Sequence, residues 1–587
     1  MYTEIRNVQI LVAMLKAYNI CDIVIAPGGS DIPIIHSIES DQFFKCYSVV
    51  DERSLVYFAI GLSQQKNAPV ACICTSGTAV CNFLPGMTEA FYQDVPLIAI
   101  TADKNPYRLN QLETQKIDQT HIFDGVCKKS VSLPVINTAE EEWYCERLIN
   151  EALVELYHHG AGPVHINIPV MGKITIYNVQ TLPEVKKINY VLAGDSDDKW
   201  SNYVQKLKNK KNILVVVGQN INFDGEMIKL LNKFFATYDC AISVEHLSNL
   251  KCNGSIITYP ITDSNDKNIF SKVRPDMVIS MGNNVASAQI KPMIRLYAKE
   301  CEHWQIDPAG RIRDMFSCLT AVFECSVKQF FKHFVGETEK EVEHTYYNKW
   351  VSCISKIEIP EVDFSDFWVV QKLSQKIPSG SVLHSAILDS TRLFQFFNIA
   401  PEIKAYSNVG ALGIDGCLST FLGQAAATDA LAFCVLGDLS YFYDMNATGI
   451  RHVRKNVRII LLNNGGASEF HFIVGKNNIS TINDYISAEH KKRAESWAES
   501  LKYDCYVVTS KKEFEDVLPI LTSKSDRPIF VEVVTDMESD ADVVKAFYKN
   551  VRRCVGGTKS AFIDSVKSEL SDEQKQKVKS FFSRFKK

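Results

Sequence analysis

Short runs of apolar, β-branched residues alternate with helix-like segments along the first 170 residues. Apolar residues recur at helical spacing near the amino terminus, at Val8, Leu11, Val12 and Leu15. They predict a helix, and the charged residues between them argue against a signal peptide. Four apolar runs predict strands at residues 22–26, 70–74, 97–101 and 164–168. Strands that alternate with helices are typical of a parallel α/β sheet.

Two further blocks with the same alternation follow. Residues 183–211 are polar and rich in Lys and Asp, which predicts a linker. A second block has strand-like runs at 213–218, 277–282 and 303–308, and a third extends from about residue 382 to 536. We therefore predict the α/β class, with three Rossmann-like parallel-sheet domains and a helical extension at the carboxyl terminus. The predicted bounds are residues 1–182, 190–345, 360–545 and 546–587.

The first and third blocks resemble each other, which indicates an internal repeat. The first contains ACICTSGTAV followed by VPLIAIT, and the third contains AFCVLGDLSY followed by VRIILLNN. Each is preceded by a helix-like segment with Ala and Gly, FAIGLSQQ in one and TFLGQAAA in the other. Two similar domains around a different one suggest a duplication. The alternative is that any two α/β domains look alike at this level.

Composition narrows the class of protein without pointing to a chemistry. Of the 587 residues, 46% are hydrophobic and 22% are charged, an ordinary globular mixture. The net charge of −4 offers no strongly basic face, so we expect no nucleic-acid partner. The 17 cysteines are spread thinly over the chain, which predicts reduced thiols and a cytoplasmic location. No run of about 18 uncharged apolar residues occurs, so we predict no membrane span.

The third block carries a motif suited to a metal ion and a phosphate. A predicted strand ends at Leu436 and leads into Gly437 and Asp438, and the next strand leads into NNGG. Glycine lets a phosphate approach the backbone. Asp438, the Asn464 amide oxygen and the Gly466 carbonyl would form an oxygen face for Mg²⁺ or Mn²⁺. The alternative is that these are ordinary Gly-Asp and Asn-Gly turns.

The first block offers a carboxylate at the start of a predicted helix. Asp51-Glu52-Arg53 follows the strand-like CYSVV and opens the segment LVYFAIGL. A carboxylate at that point can be a helix N-cap and nothing more. The residues alone leave this alternative open.

Seven segments together resemble one enzyme family. They are VVDERSLVYFAIGL, CTSGTAVCNFLPGMTEA, ITADKNP, YSNVGALGIDGCLST, GDLSYFYDMNA, LLNNGG and, in the second block, HWQIDPAGRIRDMFSCLT. The set resembles the thiamine diphosphate enzymes, and within them the 2-succinyl-5-enolpyruvyl-6-hydroxy-3-cyclohexene-1-carboxylate synthases of menaquinone biosynthesis. The resemblance covers residues 1 to about 540.

The resemblance implies roles for the domains and for individual residues. The first domain would bind the pyrimidine ring of the cofactor, and the third would bind its diphosphate and the metal. Glu52 matches the glutamate that hydrogen-bonds the aminopyrimidine, and Gln115 matches a glutamine that faces the reacting carbon. The matched metal ligands are Asp438, Asn464 and Gly466. The matched cofactor contacts are Thr75, Ser76, Gly77, Ser385, Gly413, Ile414, Gly437 and Ser440.

The resemblance also implies a reaction. It is the decarboxylation of a 2-oxo acid, dependent on thiamine diphosphate and Mg²⁺, with transfer of the resulting acyl anion to a small-molecule acceptor. Two chains share each site in this family, so we expect a homodimer or a homotetramer. FAD is not expected, because GQNINFDG in the middle domain is a poor glycine fingerprint.

Several positions depart from the basic residues of the family. PGGSDIP stands where the family has PGSRSTP, so Ser30 replaces an arginine and Asp31 lies beside it. Val409 and Asp389 stand at two more arginine positions, and Ala288-Gln289 stands at a basic pair. Losing one charge-assisted contact to a carboxylate in a desolvated pocket costs ~2–5 kcal/mol. We therefore predict a changed substrate, with a less anionic donor such as pyruvate and a hydroxyl-rich acceptor such as a keto-sugar.

Two alternative interpretations stay open. Basic residues nearby could compensate, namely Lys104, Arg108, Lys291 or Arg392, and the chain would then be the menaquinone-pathway synthase acting on 2-oxoglutarate and isochorismate. The chain could instead be a non-catalytic cofactor-binding paralogue, which the presence of Glu52, Asp438 and Asn464 argues against. Candidate substrate residues are Ser30, Asp31, Lys104, His384, Asp389 and Val409. Candidate proton shuttles, by proximity to the motifs, are His121, His384 and His471.

The last residues, 556–587, are basic and carry an apolar stripe. Ser571 and Gln574 could form a capping box for a final helix. Such a helix would pack on its own subunit or contact a partner or a membrane surface.

Overall fold

The computed structural model contains three six-stranded sheets in which every strand pair is parallel. The structure describes residues 1–185, 187, 198–219, 221–311, 313–335, 342–474 and 481–556. Within these residues no helix combines the length and the apolar character that crossing a membrane requires.

The first sheet has the strand order β2-β1-β3-β4-β6-β5. Its strands are β1 Asp22–Ile25, β2 Lys45–Ser48, β3 Val70–Cys74, β4 Leu97–Asp103, β5 Lys129–Ser132 and β6 Val164–Pro169. Its helices are α1 Arg6–Ala17, α2 Ile32–Glu39, α3 Glu52–Lys66, α4 Thr78–Asn82, α5 Leu84–Tyr92 and α6 Ala139–Glu155. The inner strands β1, β3, β4 and β6 are fully buried, as expected of a parallel sheet covered by helices on both faces.

The second sheet has the order β12-β11-β10-β7-β8-β9. Its strands are β7 Ile213–Val217, β8 Cys240–Val244, β9 Ser255–Ile257, β10 Met277–Met281, β11 Glu302–Ile306 and β12 Leu319–Phe323. Its helices are α7 Asp198–Lys208, α8 Gly225–Thr237, α9 Tyr259–Thr262, α10 Lys267–Lys272, α11 Ile290–Arg295, α12 Val327–Phe334 and α13 Thr345–Ile354. This order, with the chain starting in the middle and running outward in both directions, is that of a Rossmann sheet.

The third sheet has the order β14-β13-β15-β16-β18-β17. Its strands are β13 Val382–Ser385, β14 Lys404–Tyr406, β15 Ala432–Gly437, β16 Val457–Asn463, β17 Asp504–Val508 and β18 Ile529–Val534. Its helices are α14 Asp366–Ser374, α15 Asp389–Phe394, α16 Cys417–Ala426, α17 Asp438–Asp444, α18 Ser468–Ile473, α19 Glu495–Ser500, α20 Lys511–Leu521 and α21 Met537–Gly556. Short 3₁₀ or π turns occur at Pro106–Arg108, His246–Ser248, Met445–Gly449 and Ile482–Ile486.

The observed sheets confirm the predicted α/β class and the predicted strands. The first and third sheets follow the same order of strands, second-first-third-fourth-sixth-fifth, and the second sheet follows a different one. This agrees with the internal repeat between the first and third blocks. The domain bounds themselves stay predictions.

One predicted segment is wrong, and one lies largely outside the described residues. Within the expected linker 183–211, residues 198–208 form α7. Its Trp200, Tyr203, Val204 and Leu207 follow helical spacing and pack on the second sheet. The aspartates and lysines on either side of this segment hid its apolar spacing in the composition. In the predicted extension, residues 546–556 belong to α21, and residues 557–587, with the predicted capping box and apolar stripe, lie outside the described residues.

Helices α3 and α16 join the first and third sheets by direct contact of their backbones. A Cβ at Gly61 would lie 2.0 Å from the Thr420 carbonyl oxygen, and a Cβ at Gly423 would lie 2.1 Å from that of Phe58. The contact is reciprocal, since each glycine meets the residue three positions before the other glycine. The two glycines also occupy the same position in the repeated segments FAIGLSQQ and TFLGQAAA. The repeat therefore packs as an approximate two-fold pair.

A row of amide side chains runs beside this contact. Gln424 Nε2 donates to Gln64 Oε1 over 2.9 Å, and Gln64 Nε2 donates to Gln93 Oε1 over 2.7 Å. Gln93 in turn donates to a carboxylate oxygen of Glu89. At the other end of the row, His384 Nδ1 lies 3.1 Å from Gln424 Oε1. Side chains from both sheets are thus hydrogen-bonded in one line.

The reciprocal contact predicts that Gly423→Ala lowers the thermal midpoint of unfolding. Its Cβ would fall within 2.1 Å of a backbone oxygen that no rotamer change can move, and such overpacking costs about 1–3 kcal/mol or more. Scanning fluorimetry measures the shift. Gly225→Ala at the start of α8 is the matched control, because nothing lies within 4 Å of a Cβ there. Equal midpoints for the two variants would contradict the close contact.

Candidate active site

The carboxylates at the start of α3 have separate roles. Asp51 is the N-cap, because its side chain accepts from the backbone N–H groups of Arg53 (2.9 Å) and Ser54 (3.1 Å). Glu52 does not cap the helix. Its Oε2 accepts a hydrogen bond from Asn82 Nδ2 over 3.1 Å, and both residues line a cavity of about 640 Å³. The capping alternative therefore applies to Asp51 and leaves Glu52 for another role.

The structure brings five other matched or candidate residues together near the carboxyl ends of β1 and β3. Ser30 N donates to Thr75 Oγ1 over 3.1 Å, and the Ser30 and Ser76 hydroxyls lie 3.2 Å apart. Gly77 has φ +85°, and a Cβ there would lie 3.3 Å from that of Gln115. These five residues lie together. With Glu52, which the resemblance matches to the pyrimidine ring, they are called here the glutamate cluster: Ser30, Glu52, Thr75, Ser76, Gly77 and Gln115.

Asp31, next to Ser30 in the chain, is fully buried. Neither carboxyl oxygen has a hydrogen-bond partner among the described residues. Burial, and next the charge of Glu52, raise the pKa of this carboxyl to about 6. The side chain is thus covered in this chain, whereas Ser30 is half-buried. A substrate contact by Asp31 stays a prediction.

Near the first sheet, Lys104 and His121 are engaged, whereas Arg108 is exposed. Lys104 Nζ donates to the Thr114 carbonyl and lies 4.0 Å from Glu113. His121 is largely exposed, and its Nδ1 lies 3.1 Å from a carboxylate oxygen of Asp124.

Asp438 begins α17 directly after β15, as predicted. The side chain is 2% exposed, and its Oδ2 accepts from the backbone N–H groups of Gly465 (2.8 Å) and Gly466 (2.9 Å). His490 Nε2 lies 3.4 Å from the same oxygen. Burial outweighs these contacts and raises the pKa of Asp438. Because β15 and β16 are adjacent and parallel, the Gly437 and Asn464 turns meet at one edge.

The Asn464 carboxamide supplies an oxygen that no other group uses. Its Nδ2 donates to Asp366 Oδ2 over 3.1 Å. Its Oδ1 is buried and has no partner in the part of the chain that the structure describes. A buried carboxylate with a free amide oxygen beside it fits Mg²⁺, which takes oxygen ligands. Within the described residues no group of three or more His, Cys, Asp and Glu side chains could hold a metal, so the fit rests on this mixed set of oxygens.

The turn before α16 holds the matched residues Gly413 and Ile414. Ser440 Oγ donates to the Ile414 carbonyl over 2.8 Å, and the Ile414 side chain is partly buried. Glu89 accepts from the backbone N–H groups of Gly410 (3.1 Å) and Ala411 (2.7 Å). A carboxylate of the first sheet thus holds a turn of the third.

The remaining candidates of the third sheet are tied to protein groups. Ser385 Oγ lies 3.0 Å from Thr391 Oγ1. Asp389 pairs with Arg392, which also pairs with Glu469 over 2.5 Å.

The four other candidates here are buried or engaged. His384 is fully buried, and burial lowers its pKa to about 4. His471 is 2% exposed. Lys291 Nζ donates to Asn284 Oδ1 over 2.6 Å, and Val409 is 2% exposed.

The residues matched to the diphosphate and metal form a second cluster, called here the metal cluster: Ser385, Gly413, Ile414, Gly437, Asp438, Ser440, Asn464 and Gly466. Helix α3, which begins with Glu52, and Asp438 of the metal cluster lie at opposite ends of α17. Ser54 Oγ donates to Asp444 Oδ1 over 3.0 Å at its carboxyl end, whereas Asp438 begins the helix. Among the described residues, no hydrogen bond or ion pair joins a member of one cluster to a member of the other.

Sequence reasoning missed four residues that shape these clusters. They are Asn82 beside Glu52, Glu89 beside Gly410, Asp366 beside Asn464 and His490 beside Asp438. Each lies 30 or more positions from its partner. No spacing rule links such pairs, so only the fold reveals them.

Comparison with known proteins identifies the family. Residues 5–122 match the family described as thiamine pyrophosphate enzyme, N-terminal TPP binding domain. A protein of Phocaeicola vulgatus named 2-succinyl-5-enolpyruvyl-6-hydroxy-3-cyclohexene-1-carboxylate synthase is 37% identical, covering 94% of this chain and 99% of that protein. Proteins with the same name from Bacteroides fragilis (35% identical) and Flavobacterium johnsoniae (28%) cover 94% of this chain and 100% of their own length.

These similarities extend across all three sheets. They confirm thiamine diphosphate with a divalent metal, typically Mg²⁺, as the cofactor pair. They support the reaction named for the relatives better than the changed substrate predicted above. The chain belongs to the 2-succinyl-5-enolpyruvyl-6-hydroxy-3-cyclohexene-1-carboxylate synthase family, a branch of the thiamine diphosphate-dependent enzymes that decarboxylate 2-oxo acids and form carbon–carbon bonds.

Proposed function

We propose that this chain decarboxylates a 2-oxo acid and joins the remaining acyl group to an acceptor, with the glutamate and metal clusters as its catalytic parts. The observation that carries the proposal is at the carboxyl ends of β15 and β16, where Asp438 accepts from Gly465 N and the adjacent Asn464 has a buried Oδ1 without a partner among the described residues. At the carboxyl-end edge of the related sheet, Glu52 does not cap α3 and lines a cavity.

Different residues of the chain would bind the two parts of the cofactor and the metal. When bound, thiamine diphosphate accepts the electrons that decarboxylation releases. Asn82 holds Glu52 Oε2, which leaves Oε1 to bind the aminopyrimidine and keep a proton there. Asp438, Asn464 Oδ1 and the Gly466 carbonyl would hold the metal. Ile414 would offer an apolar surface to the cofactor.

Replacing Glu52 with Gln should abolish carbon dioxide release and leave cofactor binding largely intact. The variant keeps the shape and loses the ionisable group, so we expect a fall in kcat of about 10²–10⁴-fold. Carbon dioxide release from the full chain and fluorescence titration with thiamine diphosphate and Mg²⁺ measure the two properties. Asp51→Asn is the matched control, because an asparagine still caps α3. Full activity of Glu52→Gln would refute the assigned role.

The separation of the two clusters favours a site shared between two chains. Helix α17, seven residues and roughly 9 Å long, lies between the contact of α3 at its carboxyl end and Asp438 at its start. The glutamate cluster of one chain would complete the metal cluster of another, in a homodimer or a pair of dimers. We place this assembly in the cytoplasm, in keeping with all 17 cysteines being free thiols.

A mixture of two inactive variants tests the shared site. Glu52→Gln and Asp438→Asn chains, refolded or co-expressed together, should regain about a quarter of the native activity, because half of the dimers are mixed and each has one intact site. Carbon dioxide release is the readout, with each variant alone as the control. No recovery in verified mixed dimers would show that each site lies within one chain.

The names of the relatives provide the first candidate for the substrates. The Phocaeicola and Bacteroides proteins are named as 2-succinyl-5-enolpyruvyl-6-hydroxy-3-cyclohexene-1-carboxylate synthases. The corresponding reaction here would use 2-oxoglutarate and isochorismate.

A specific observation favours a second candidate, a donor with a single carboxylate such as pyruvate. Of the four basic residues that could replace the missing arginines, Arg392 is paired with Asp389 and Glu469. Lys104 is hydrogen-bonded to Thr114 and Lys291 to Asn284, whereas Arg108 is exposed. A cation between two carboxylates is a weak partner for a third one.

An arginine restored at Ser30 should improve the use of 2-oxoglutarate. A charge-assisted hydrogen bond to the second carboxylate is worth about 1.5–3 kcal/mol, so we expect kcat/KM for 2-oxoglutarate to rise about 10- to 100-fold and that for pyruvate to stay constant. Carbon dioxide release from each acid is compared, with Ser30→Gln as the uncharged control. Under the second candidate, the native chain would prefer pyruvate. A native preference for 2-oxoglutarate with consumption of isochorismate would instead support the relatives' reaction.

A further inference from the structure

The Asn464 carboxamide is held in one of its two orientations. Its NH₂ end faces Asp366 Oδ2 at 3.1 Å, and its oxygen end is buried without a partner among the residues described. A carboxamide turned by 180° would exchange these ends and leave an N–H group where the oxygen now lies. Such a group repels a cation.

Asp366 dictates which end faces it. Its Oδ2 accepts hydrogen bonds whether or not Oδ1 carries a proton, so the neighbouring amide must present its NH₂. Asp366 itself is fixed. Its N–H donates to Asp540 Oδ1 over 2.8 Å, its Oδ1 lies 3.0 Å from Thr535 Oγ1, and the residue is 4% exposed. The carboxylate therefore has no freedom to follow a turned amide.

We propose that Asp366 is a positioning residue that turns Asn464 Oδ1 toward the metal held by Asp438. The inference rests on the proposed function, since it takes Asn464 to be a metal ligand. Asp366 begins α14, 98 positions before Asn464, and would act on the metal only through that side chain. Groups that orient metal ligands typically govern affinity for the metal.

Replacing Asp366 with Asn should weaken metal binding about 10- to 100-fold, the usual effect of removing such a group. An asparagine can donate as well as accept, so it no longer forces one orientation of Asn464. Mn²⁺ is the probe, titrated into the full chain with thiamine diphosphate present and followed by electron paramagnetic resonance. Ser365→Ala is the matched control, because it removes the N-cap of the same helix, where Ser365 accepts from Trp368 N, without touching Asn464.

The exchanged pair separates positioning from a general structural effect. In Asp366→Asn/Asn464→Asp the hydrogen bond is kept with its direction reversed, and an oxygen still faces the metal. We expect this double variant to recover most of the lost Mn²⁺ affinity, which a merely structural role would not allow. Thermal midpoints confirm that each variant is folded.

The outcomes distinguish this inference from the proposed function. Loss of affinity in Asp366→Asn, none in Ser365→Ala and recovery in the exchanged pair support the positioning role. Native affinity in Asp366→Asn, or an equal loss in Ser365→Ala, overturns it and leaves the proposed function standing. A native chain that binds no Mn²⁺ in the presence of thiamine diphosphate overturns both.

Discussion

The reciprocal contact between α3 and α16 is the constraint on which the two catalytic clusters depend. Two backbones can approach this closely only where neither carries a side chain, which confines the crossing to Gly61 and Gly423. Helix α3 begins with Glu52, and the turn before α16 holds Ile414. This one crossing point therefore fixes where both helices begin. It thereby fixes the positions of Glu52 in the glutamate cluster and Ile414 in the metal cluster.

The repeat gives the two sheets equivalent loops that have taken on different chemistry. The third strand of the first sheet is followed by Thr75–Gly77, and the third strand of the third sheet by Gly437 and Asp438. One loop is neutral and the other carries the carboxylate. Glu89 shows that the halves also support each other, since it holds backbone N–H groups of a turn in the related sheet. A duplicated fold has thus divided one site into complementary parts.

Strands and local motifs could be predicted from the sequence because their signals are local. Apolar runs gave the buried strands, and Asp438 follows β15 as its motif predicts. Partners from distant segments could not be predicted. Asp366 contacts Asn464 only because α14 packs beside the third sheet. The residues next to Asp366 in the sequence do not predict this contact. Helix α7 was missed for a different reason, because the charged residues that flank it in the sequence outweighed its apolar spacing in composition.

The same limit applies to the choice between Asp51 and Glu52. Both are acidic and adjacent, and the sequence does not say which one caps α3. Hydrogen-bond geometry decides, because only Asp51 reaches the free N–H groups of the first turn. The availability of the substrate candidates depends on electrostatics. Arg392 is present in the sequence, and only its placement beside Asp389 and Glu469 shows that its charge is already neutralised.

The row of amides beside α3 and α16 also determines a tautomer. Glu89 only accepts, so each glutamine from Gln93 to Gln424 must point its NH₂ the same way, and Gln424 is left presenting its oxygen to His384. His384 is neutral, because burial lowers its pKa to about 4. Its single ring proton must therefore sit on Nδ1, with a bare lone pair on Nε2. A glutamate of the first sheet thus sets the protonation pattern of a histidine in the third, although no charge moves between them.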